Sequence, residues 1–386
     1  MYKLRTLNEI AEEGLNLLTQ KYELNTDEAV DGIIVRSTSM HTYPIDKQLK
    51  AVARAGVGVN NIPLEDYAEK GIVVFNTPGA NANGVKELVI AGLMLASRDI
   101  IGAVEWTKEI ADQGDEISKK VEAGKSNFTG PEVKGKTLGV VGLGAVGVIV
   151  SNAANALGMN VLGYDPYISV SSAWGLSRSV KRATSYDELY EKCDYLTLHV
   201  PLVDATRNLI NQDSIHKMKD GMRILNFARG ELVDDIAMTQ ALEDGKIAKY
   251  ITDFPNAATI NMKNCVSIPH LGASTPESEI NCAIMAMRQM MDYLENGNIR
   301  NAVNYPDCDM GVCRSDKRIT LNHKNIPNMV SQITSVMGSH NINIATMQNM
   351  SKKAWAYTVL DIEGEAGPDI LASLEAIEGV VKVRLI

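Results

Sequence analysis

The sequence is short of several things that would give it a quick assignment. It has only five cysteines, Cys193, Cys265, Cys282, Cys308 and Cys313. Their number is odd and no two form a CxxC pair, so neither a disulfide framework nor a zinc site is implied, and no metal is expected. No block of lysine and arginine stands out, and the net charge is −9; this argues against a nucleic-acid surface. No apolar run reaches the length needed to span a bilayer, and Met1-Tyr-Lys-Leu-Arg-Thr lacks the apolar core of a signal peptide. A reduced, cytoplasmic protein with no membrane or nucleic-acid partner is the expectation. What remains is ordinary for a soluble globular chain, 45% apolar and 22% charged. A length of 386 residues allows two or three domains.

The most telling stretch is Thr137-Leu-Gly-Val-Val-Gly-Leu-Gly-Ala-Val-Gly147. An apolar strand, Leu138 to Val141, runs into Gly142-x-Gly144-x-x-Gly147, and a helical apolar pattern follows through Val148, Val150, Ala153, Ala154 and Leu157. A second apolar run from Asn160 ends at Asp165. This is the dinucleotide-binding fingerprint in its required βαβ context. Gly142 permits the turn, Gly144 lets the backbone approach a pyrophosphate, and Gly147 lets helix and strand pack closely. The phosphates meet the free N–H groups of the helix start. Asp165 is placed to accept from the ribose hydroxyls and to repel a 2′-phosphate, which favours NAD over NADP.

Strand and helix patterns alternate along most of the chain. Ile10 to Leu18 reads as an amphipathic helix, with buried strands at Gly32–Val35 and Gly71–Phe75. From Val85 to Ala96 the pattern is apolar nearly all round, as expected of a buried helix wedged between domains. Further apolar strands recur at Tyr195–Val200, Met222–Leu225, Tyr250–Thr252 and Val266–Ile268, which predicts a doubly wound parallel sheet. A long helix covers Pro276 to Leu294, and a linker rich in Asn, Gly, Asp and Pro runs from Asn296 to Gly311. The tail reads strand (318–321), helix (329–337), strands (342–348 and 355–362), helix (370–377), strand (380–385). That βαββαβ order is ferredoxin-like.

With these motifs in view the chain resembles the D-isomer-specific 2-hydroxyacid dehydrogenases, in the short branch that acts on 3-phosphoglycerate and carries one C-terminal ACT domain. The markers are Arg54-Ala-Gly-Val-Gly-Val-Asn-Asn-Ile62, Phe75-Asn-Thr-Pro78, the glycine fingerprint, His199-Val-Pro-Leu202, Asn226-Phe-Ala-Arg-Gly-Glu-Leu-Val-Asp234 and Pro269-His-Leu-Gly-Ala-Ser-Thr275. The resemblance implies an α/β fold of two doubly wound, Rossmann- or flavodoxin-like domains plus the ferredoxin-like ACT unit. The substrate domain comprises residues 1–84 and 273–312, the NAD domain 85–272, and the ACT unit 313–386. It also implies a homodimer or homotetramer that oxidises 3-phospho-D-glycerate with NAD in the first step of phosphorylated L-serine biosynthesis. A hydroxypyruvate or glyoxylate reductase of the same superfamily and a non-catalytic NAD-sensing protein are the alternatives.

Oxidising a 2-hydroxy acid needs a cation for the carboxylate, a base for the hydroxyl proton and a hydride acceptor. Arg229 matches the family arginine; its planar fork suits a carboxylate, and its place after the strand Ile224-Leu-Asn-Phe227 is where open α/β sheets bind ligands. His270 matches the acid/base histidine. The glutamate that normally partners it falls at or near Ala258, and no Asp or Glu occurs from Phe254 to Leu271. Lys86 stands where the family has alanine, near the expected cleft, so Lys86 and His270 are rival acid/base groups. Arg36 and Ser37 match the residues that hold the substrate phosphate, Asn81 matches another substrate contact, and the Val57-Gly58 backbone suits the carboxylate. The resemblance places the cofactor against Gly142, Gly144, Ala145, Val146, Gly147, Asp165, Pro201, Ala228, Asp253 and Gly272, with Asp253 near the nicotinamide amide. In the tail, His323, Asn325 and Asn343 match positions that bind an L-serine effector between two ACT units. There Pro327-Asn328 replaces the usual Pro-Gly, and Asn tolerates the left-handed turn better than most residues.

Overall fold

Five short parallel strands open the chain: β1 (Tyr2–Thr6), β2 (Tyr22–Leu24), β3 (Gly32–Val35), β4 (Ala51–Arg54) and β5 (Val73–Phe75). They pair in the order β2-β1-β3-β4-β5. All four residues of β3 are buried, because both faces of the sheet are covered. Alternation sends Ile34 to one core, with Leu4 and Phe75, and Ile33 and Val35 to another, with Val52 and Val74. Helix α1 (Glu12–Leu15) is a single turn, not the nine-residue helix that periodicity predicts. Leu15, Leu17 and Leu18 all pack against the core. A continuous helix would carry Leu17 roughly 200° round from Leu15, so ending it lets both reach that core. Helix α2 (Leu64–Glu69) precedes β5.

In this computed structural model, which describes residues 1–26 and 28–386, the chain divides into two compact units. Residues 1–80 and 279–386 form the first, and residues 81–278 the second. The second opens with α3 (Ala82–Ser97), α4 (Ile100–Glu109) and α5 (Ile117–Gly124). Its strands are β6 (Thr137–Val141), β7 (Asn160–Tyr164), β8 (Lys181–Arg182), β9 (Tyr195–Leu198), β10 (Met222–Asn226), β11 (Ile247–Thr252) and β12 (Cys265–Ser267). Connecting them are α6 (Ala145–Ala156), α7 (Val170–Gly175), α8 (Tyr186–Lys192), α9 (Gln212–Lys217) and α10 (Asp235–Glu243). The sheet is parallel throughout, in the order β12-β11-β10-β9-β6-β7-β8. Strand order reverses beside β6, and ligands of such sheets bind at that switch point.

Helix α11 (Pro276–Asn296) returns the chain to the first unit. Its residues Cys282, Ala283, Ala286, Met287, Met290, Tyr293 and Leu294 form one buried stripe. A Cβ on Gly32 would come within 2.6 Å of the Met290 sulfur, so glycine spares the Met290 and Leu4 side chains a shift where β3 meets the helix.

The tail follows the predicted βαββαβ order: β13 (Lys317–Lys324), α12 (Met329–Ser339), β14 (Asn343–Lys352), β15 (Trp355–Glu363), α13 (Pro368–Glu375) and β16 (Val380–Leu385). The sheet is antiparallel, ordered β14-β15-β13-β16. Ile319, Leu321, Leu360 and Ile362 meet the two helices on one face. On the other, Trp355, Tyr357 and Val359 join the same core as Phe75 and Tyr293. Polar contacts reinforce the junction. The fully buried Arg318 donates to both Asp361 oxygens at 2.6 and 2.9 Å, and to the carbonyls of Asn296 and Gly311 at 2.7 and 2.6 Å. Arg384 donates to the Tyr293 and Leu294 carbonyls and lies over the Tyr293 ring. The terminal sheet is therefore built into the first unit. Among the described residues no helix is long and apolar enough to cross a membrane.

Candidate active site

The glycine loop between β6 and α6 has the sterics its sequence demands. Gly142 takes φ 89°, and a Cβ there would lie 2.6 Å from the His199 carbonyl oxygen. A Cβ on Gly147 would overlap the Gly142 carbonyl, so both positions exclude any side chain. A Cβ on Gly144 would meet nothing within 4 Å, which leaves open room over the loop. Helix α6 starts at Ala145 with no side chain capping its first amides, so those of Ala145 and Val146 are available to an anion. Asp165 accepts from the Leu143 amide at 2.9 Å and the Tyr167 amide at 2.8 Å. These bonds fix its carboxylate at the end of β7 beside the loop. An uncapped helix start, a cradle that any Cβ would fill and a fixed acid together fit a dinucleotide.

Three loops at the C-terminal ends of β10, β11 and β12 carry the reactive candidates. After β10 the fully buried Asn226 donates to the Arg229 carbonyl at 2.8 Å and accepts from the Ala228 amide at 3.2 Å. This brace presents Arg229 to solvent, with one guanidinium nitrogen donating to the Ala228 carbonyl. After β11 comes Asp253, only 1% exposed. Burial pushes its acid weaker than an ordinary carboxylate, against the opposing influence of His270, the Gly272 amide and Arg229. After β12, His270 is exposed, its ring centroid 4.8 Å from that of Phe254. The structure thus gathers Arg229, Asp253, His270 and Gly272. The other motif histidine, His199, is held neutral by burial, with its pKa pushed down to about 3, and bonds Thr197 at 3.0 Å. Pro201 lies just beyond it, its carbonyl accepting from Thr206 at 2.7 Å.

Asn81 sits at the head of α3 and makes no side-chain capping bond. Lys86, on the next turn, donates to Asn83 at 2.6 Å and faces Glu87 at 3.6 Å. This end of α3 abuts the histidine loop: a Cβ on Gly84 would lie 2.9 Å from the Gly272 carbonyl, and one on Gly272 3.2 Å from Val85. Among the described residues no cluster of three His, Cys, Asp or Glu side chains could hold a metal.

The first unit places two arginines at the ends of β3 and β4. Three successive amides, of Arg36, Ser37 and Thr38, donate to the Asn8 side-chain oxygen at 2.9, 3.0 and 3.2 Å. Asn8 thereby fixes the loop that displays the Arg36 and Ser37 side chains. Arg36 pairs with Glu279 of α11. Arg54 donates through Nε to the Arg36 carbonyl at 3.0 Å and turns its outer nitrogens toward Gly56 and Gly58. Burial and the charge of Arg36 disfavour the Arg54 cation. The Val57 carbonyl is held by Asn76 at 2.6 Å. Sequence reading named neither Asn8 nor a role for Arg54. The signal for Arg54 is its place at the head of the Arg54–Ile62 motif, a cation beside a glycine-rich turn.

In the terminal sheet, His323 is buried, with its ring nitrogens bonded to the Lys324 carbonyl and the Thr358 hydroxyl at 2.8 Å each. Burial lowers its pKa. Asn325 donates to the Lys353 carbonyl at 3.0 Å, and Asn343 to Glu363 at 2.6 Å. Asn325 follows Lys324, which pairs with Trp355, whereas Asn343 pairs with Glu363. The two asparagines therefore lie at opposite ends of the sheet, about 30 Å apart at ~3.3 Å per residue. Asn328 takes φ 69°, the left-handed turn that the Pro327-Asn328 pair requires.

Comparison with known proteins gives a consistent picture. Residues 100–272 match the family described as D-isomer specific 2-hydroxyacid dehydrogenase, NAD binding domain. The D-3-phosphoglycerate dehydrogenase of Methanocaldococcus jannaschii is 34% identical over 340 residues, 86% of this chain but only 62% of that protein. The chain thus spans less than two thirds of that relative. The D-3-phosphoglycerate dehydrogenase of Haemophilus influenzae is 31% identical over 350 residues, 88% of this chain and 82% of that protein. Among solved structures, the NAD+-bound 3-phosphoglycerate dehydrogenase of Entamoeba histolytica is 28% identical with a TM-score of 0.58, covering 78% of this chain and 98% of that one. Overlap of this extent, on the glycine loop and strand ends described above, leaves one conclusion: the chain belongs to the D-isomer-specific 2-hydroxyacid dehydrogenases and carries their NAD-binding domain.

Proposed function

We propose that the protein oxidises the C2 hydroxyl of 3-phospho-D-glycerate to give 3-phosphohydroxypyruvate, the entry step of phosphorylated L-serine biosynthesis. The observation that carries this reading is the cationic edge Arg36–Ser37–Arg54, which favours a phosphorylated acid over glyoxylate or hydroxypyruvate. Arg36 and Ser37 take the phosphate, and Arg54 stands beside them. The Val57–Gly58 backbone and Asn81 contact the rest of the substrate. Arg229 binds the C1 carboxylate in its planar fork and stabilises the charge growing on the C2 oxygen. NAD, when bound, accepts the hydride. Gly142, Gly144, Ala145, Val146, Gly147 and Asp165 hold its phosphates and ribose, while Pro201, Ala228, Asp253 and Gly272 line its nicotinamide half. His270 takes the hydroxyl proton, a role supported by its place beside Arg229 and Asp253. Lys86 is the second reading, favoured by the lack of any acid between residues 254 and 271; against it, its amine is already committed to Asn83 and Glu87.

The terminal sheet is read as an ACT unit in a cytoplasmic homodimer or homotetramer. With Asn325 and Asn343 at opposite ends of one sheet, an L-serine site that uses both belongs between two chains. The test of the reading is NADH formation with 3-phospho-D-glycerate and with D-glycerate. A preference of at least about 100-fold in kcat/KM for the phosphorylated acid is expected, since a site built for a polar group rejects the analogue that lacks it. Equal rates, or faster reduction of glyoxylate, would overturn the assignment. His270→Asn and Lys86→Met then decide the base, according to which of the two abolishes turnover.

A further inference from the structure

Two arginines meet at the C-terminal ends of β3 and β4, and one acid faces them. Arg54 is tied to the Arg36 carbonyl, and the charge of Arg36 acts against its own. Among the described residues the only acid paired with either arginine is Glu279, which accepts from one guanidinium nitrogen of Arg36. Glu279 lies in the first turn of α11, and Cys282, three residues on, shares its face. The Cys282 thiol feels Arg36, Arg54 and Glu279 together, which gathers all three charges about one point of the helix. Arg36 and Glu279 keep 45% and 44% of their side-chain surface in solvent. An ion pair that wet contributes little and opens readily. Ser37, beside Arg36, is exposed as well.

We propose that Glu279 is the resident counter-ion of the substrate-phosphate site: its carboxylate holds Arg36 while the edge is empty, yields the guanidinium to the incoming phosphate, and takes it back as the phosphorylated product leaves. This deepens the reading given above and rests on it. Charge drives the exchange. The empty edge carries two cations and one anion. A phosphate monoester at about pH 8 brings nearly two negative charges and three acceptor oxygens. It therefore outcompetes a carboxylate for Arg36 and reaches the Ser37 hydroxyl as well. Once it is bound, the phosphate alone balances the two arginines, and Glu279 becomes a surplus negative charge nearby. The acid thus weakens the complex twice, by competing for Arg36 and by repelling the phosphate. The same repulsion acts on the product, which carries the same phosphate and has to leave before the next turnover.

The test is Glu279→Gln in the full chain, which keeps the shape of the side chain and removes its charge. Three quantities are read at low ionic strength: KM for 3-phospho-D-glycerate, Ki for 3-phosphohydroxypyruvate as product inhibitor, and Ki for inorganic phosphate. All three should fall about tenfold, because no exposed pair has to open and one charge no longer opposes a dianion. The gain should shrink to about threefold or less at about 0.5 M salt, where exposed charges are screened. The turnover number kcat should not rise, because the product leaves more slowly. In an Arg36→Ala background the same substitution should gain less, since no cation is left to hand over. Unchanged or weaker phosphate binding in Glu279→Gln would overturn the inference and make Glu279 a brace for Arg36 or a solvated charge. So would an equal gain with and without Arg36. If Arg36→Ala alone uses 3-phospho-D-glycerate as well as the wild type does, or the wild type does not turn it over, the underlying reading fails instead.

Discussion

Replacing Asn8 by alanine removes the one acceptor shared by three successive amides. Each such neutral bond is worth about 0.5–1.5 kcal/mol net. Arg36 and Ser37 are exposed and Asn8 is half-buried, so water takes over much of that loss. A stability deficit of about 1 kcal/mol remains, which lowers Tm by about 2–4 °C in a unit of this size. The larger effect falls on binding. With its amides released, the loop that aims Arg36 and Ser37 has to be ordered again each time a phosphate binds. Fixing one residue costs about 1–2 kcal/mol, so KM for 3-phospho-D-glycerate should rise about tenfold. Activity on D-glycerate, which has no phosphate, should stay near its low starting value. Asn8→Asp keeps the acceptor and should melt like the wild type, but its charge faces the incoming phosphate, so its KM should still be raised. Steady-state kinetics on both substrates with parallel thermal melts provide the assay. If Asn8→Ala melts lower yet binds the phosphorylated substrate as well as before, the loop does not hold the phosphate.

Other consequences follow from the packing and the charges. Arg318→Met strands the Asp361 carboxylate in the core and should cost about 3–5 kcal/mol in urea unfolding, whereas Arg318→Met with Asp361→Leu should recover most of it. Asp165→Ala should narrow the preference for NAD over NADP in kcat/KM, since it removes the charge that repels a 2′-phosphate. Burial pushes the Lys382 pKa down to about 8 from 10.5, so its cation opposes folding and stability should rise as pH climbs through that window. Lys382→Met should accordingly melt higher than wild type at pH 7, with the difference shrinking toward pH 10.

The elements that were legible in the sequence are those governed by local sterics and periodicity. Gly142 and Gly147 announce the nucleotide loop because any Cβ there collides with backbone. The βαββαβ tail is readable because its apolar residues alternate in strands and recur every third or fourth residue in helices. Periodicity overstates helix α1, since Leu15, Leu17 and Leu18 serve the core without sharing a helical face. Strand β4 gives no such signal: four residues, Ala-Val-Ala-Arg, carry too little period. Long-range features left no local trace. That Trp355 and Tyr357 share a core with Phe75 depends on how two sheets meet 280 residues apart in sequence, roughly speaking, and no window captures it. Asn8 and its three amides are separated by a strand and a turn. Asp253 showed itself as an acid at a strand end, but its burial and its empty coordination appear only when three loops are brought together.

The most direct test of the account is kcat/KM for 3-phospho-D-glycerate with NAD in wild type and in Arg229→Ala. Arg229 is exposed on a braced loop, so the variant should fold and bind NADH as the wild type does. It should lose at least about 100-fold in kcat/KM, the cost of removing one preorganised donor from a developing oxyanion. Undiminished activity in Arg229→Ala, or a wild-type protein that binds NADH but leaves 3-phospho-D-glycerate untouched, would contradict the account.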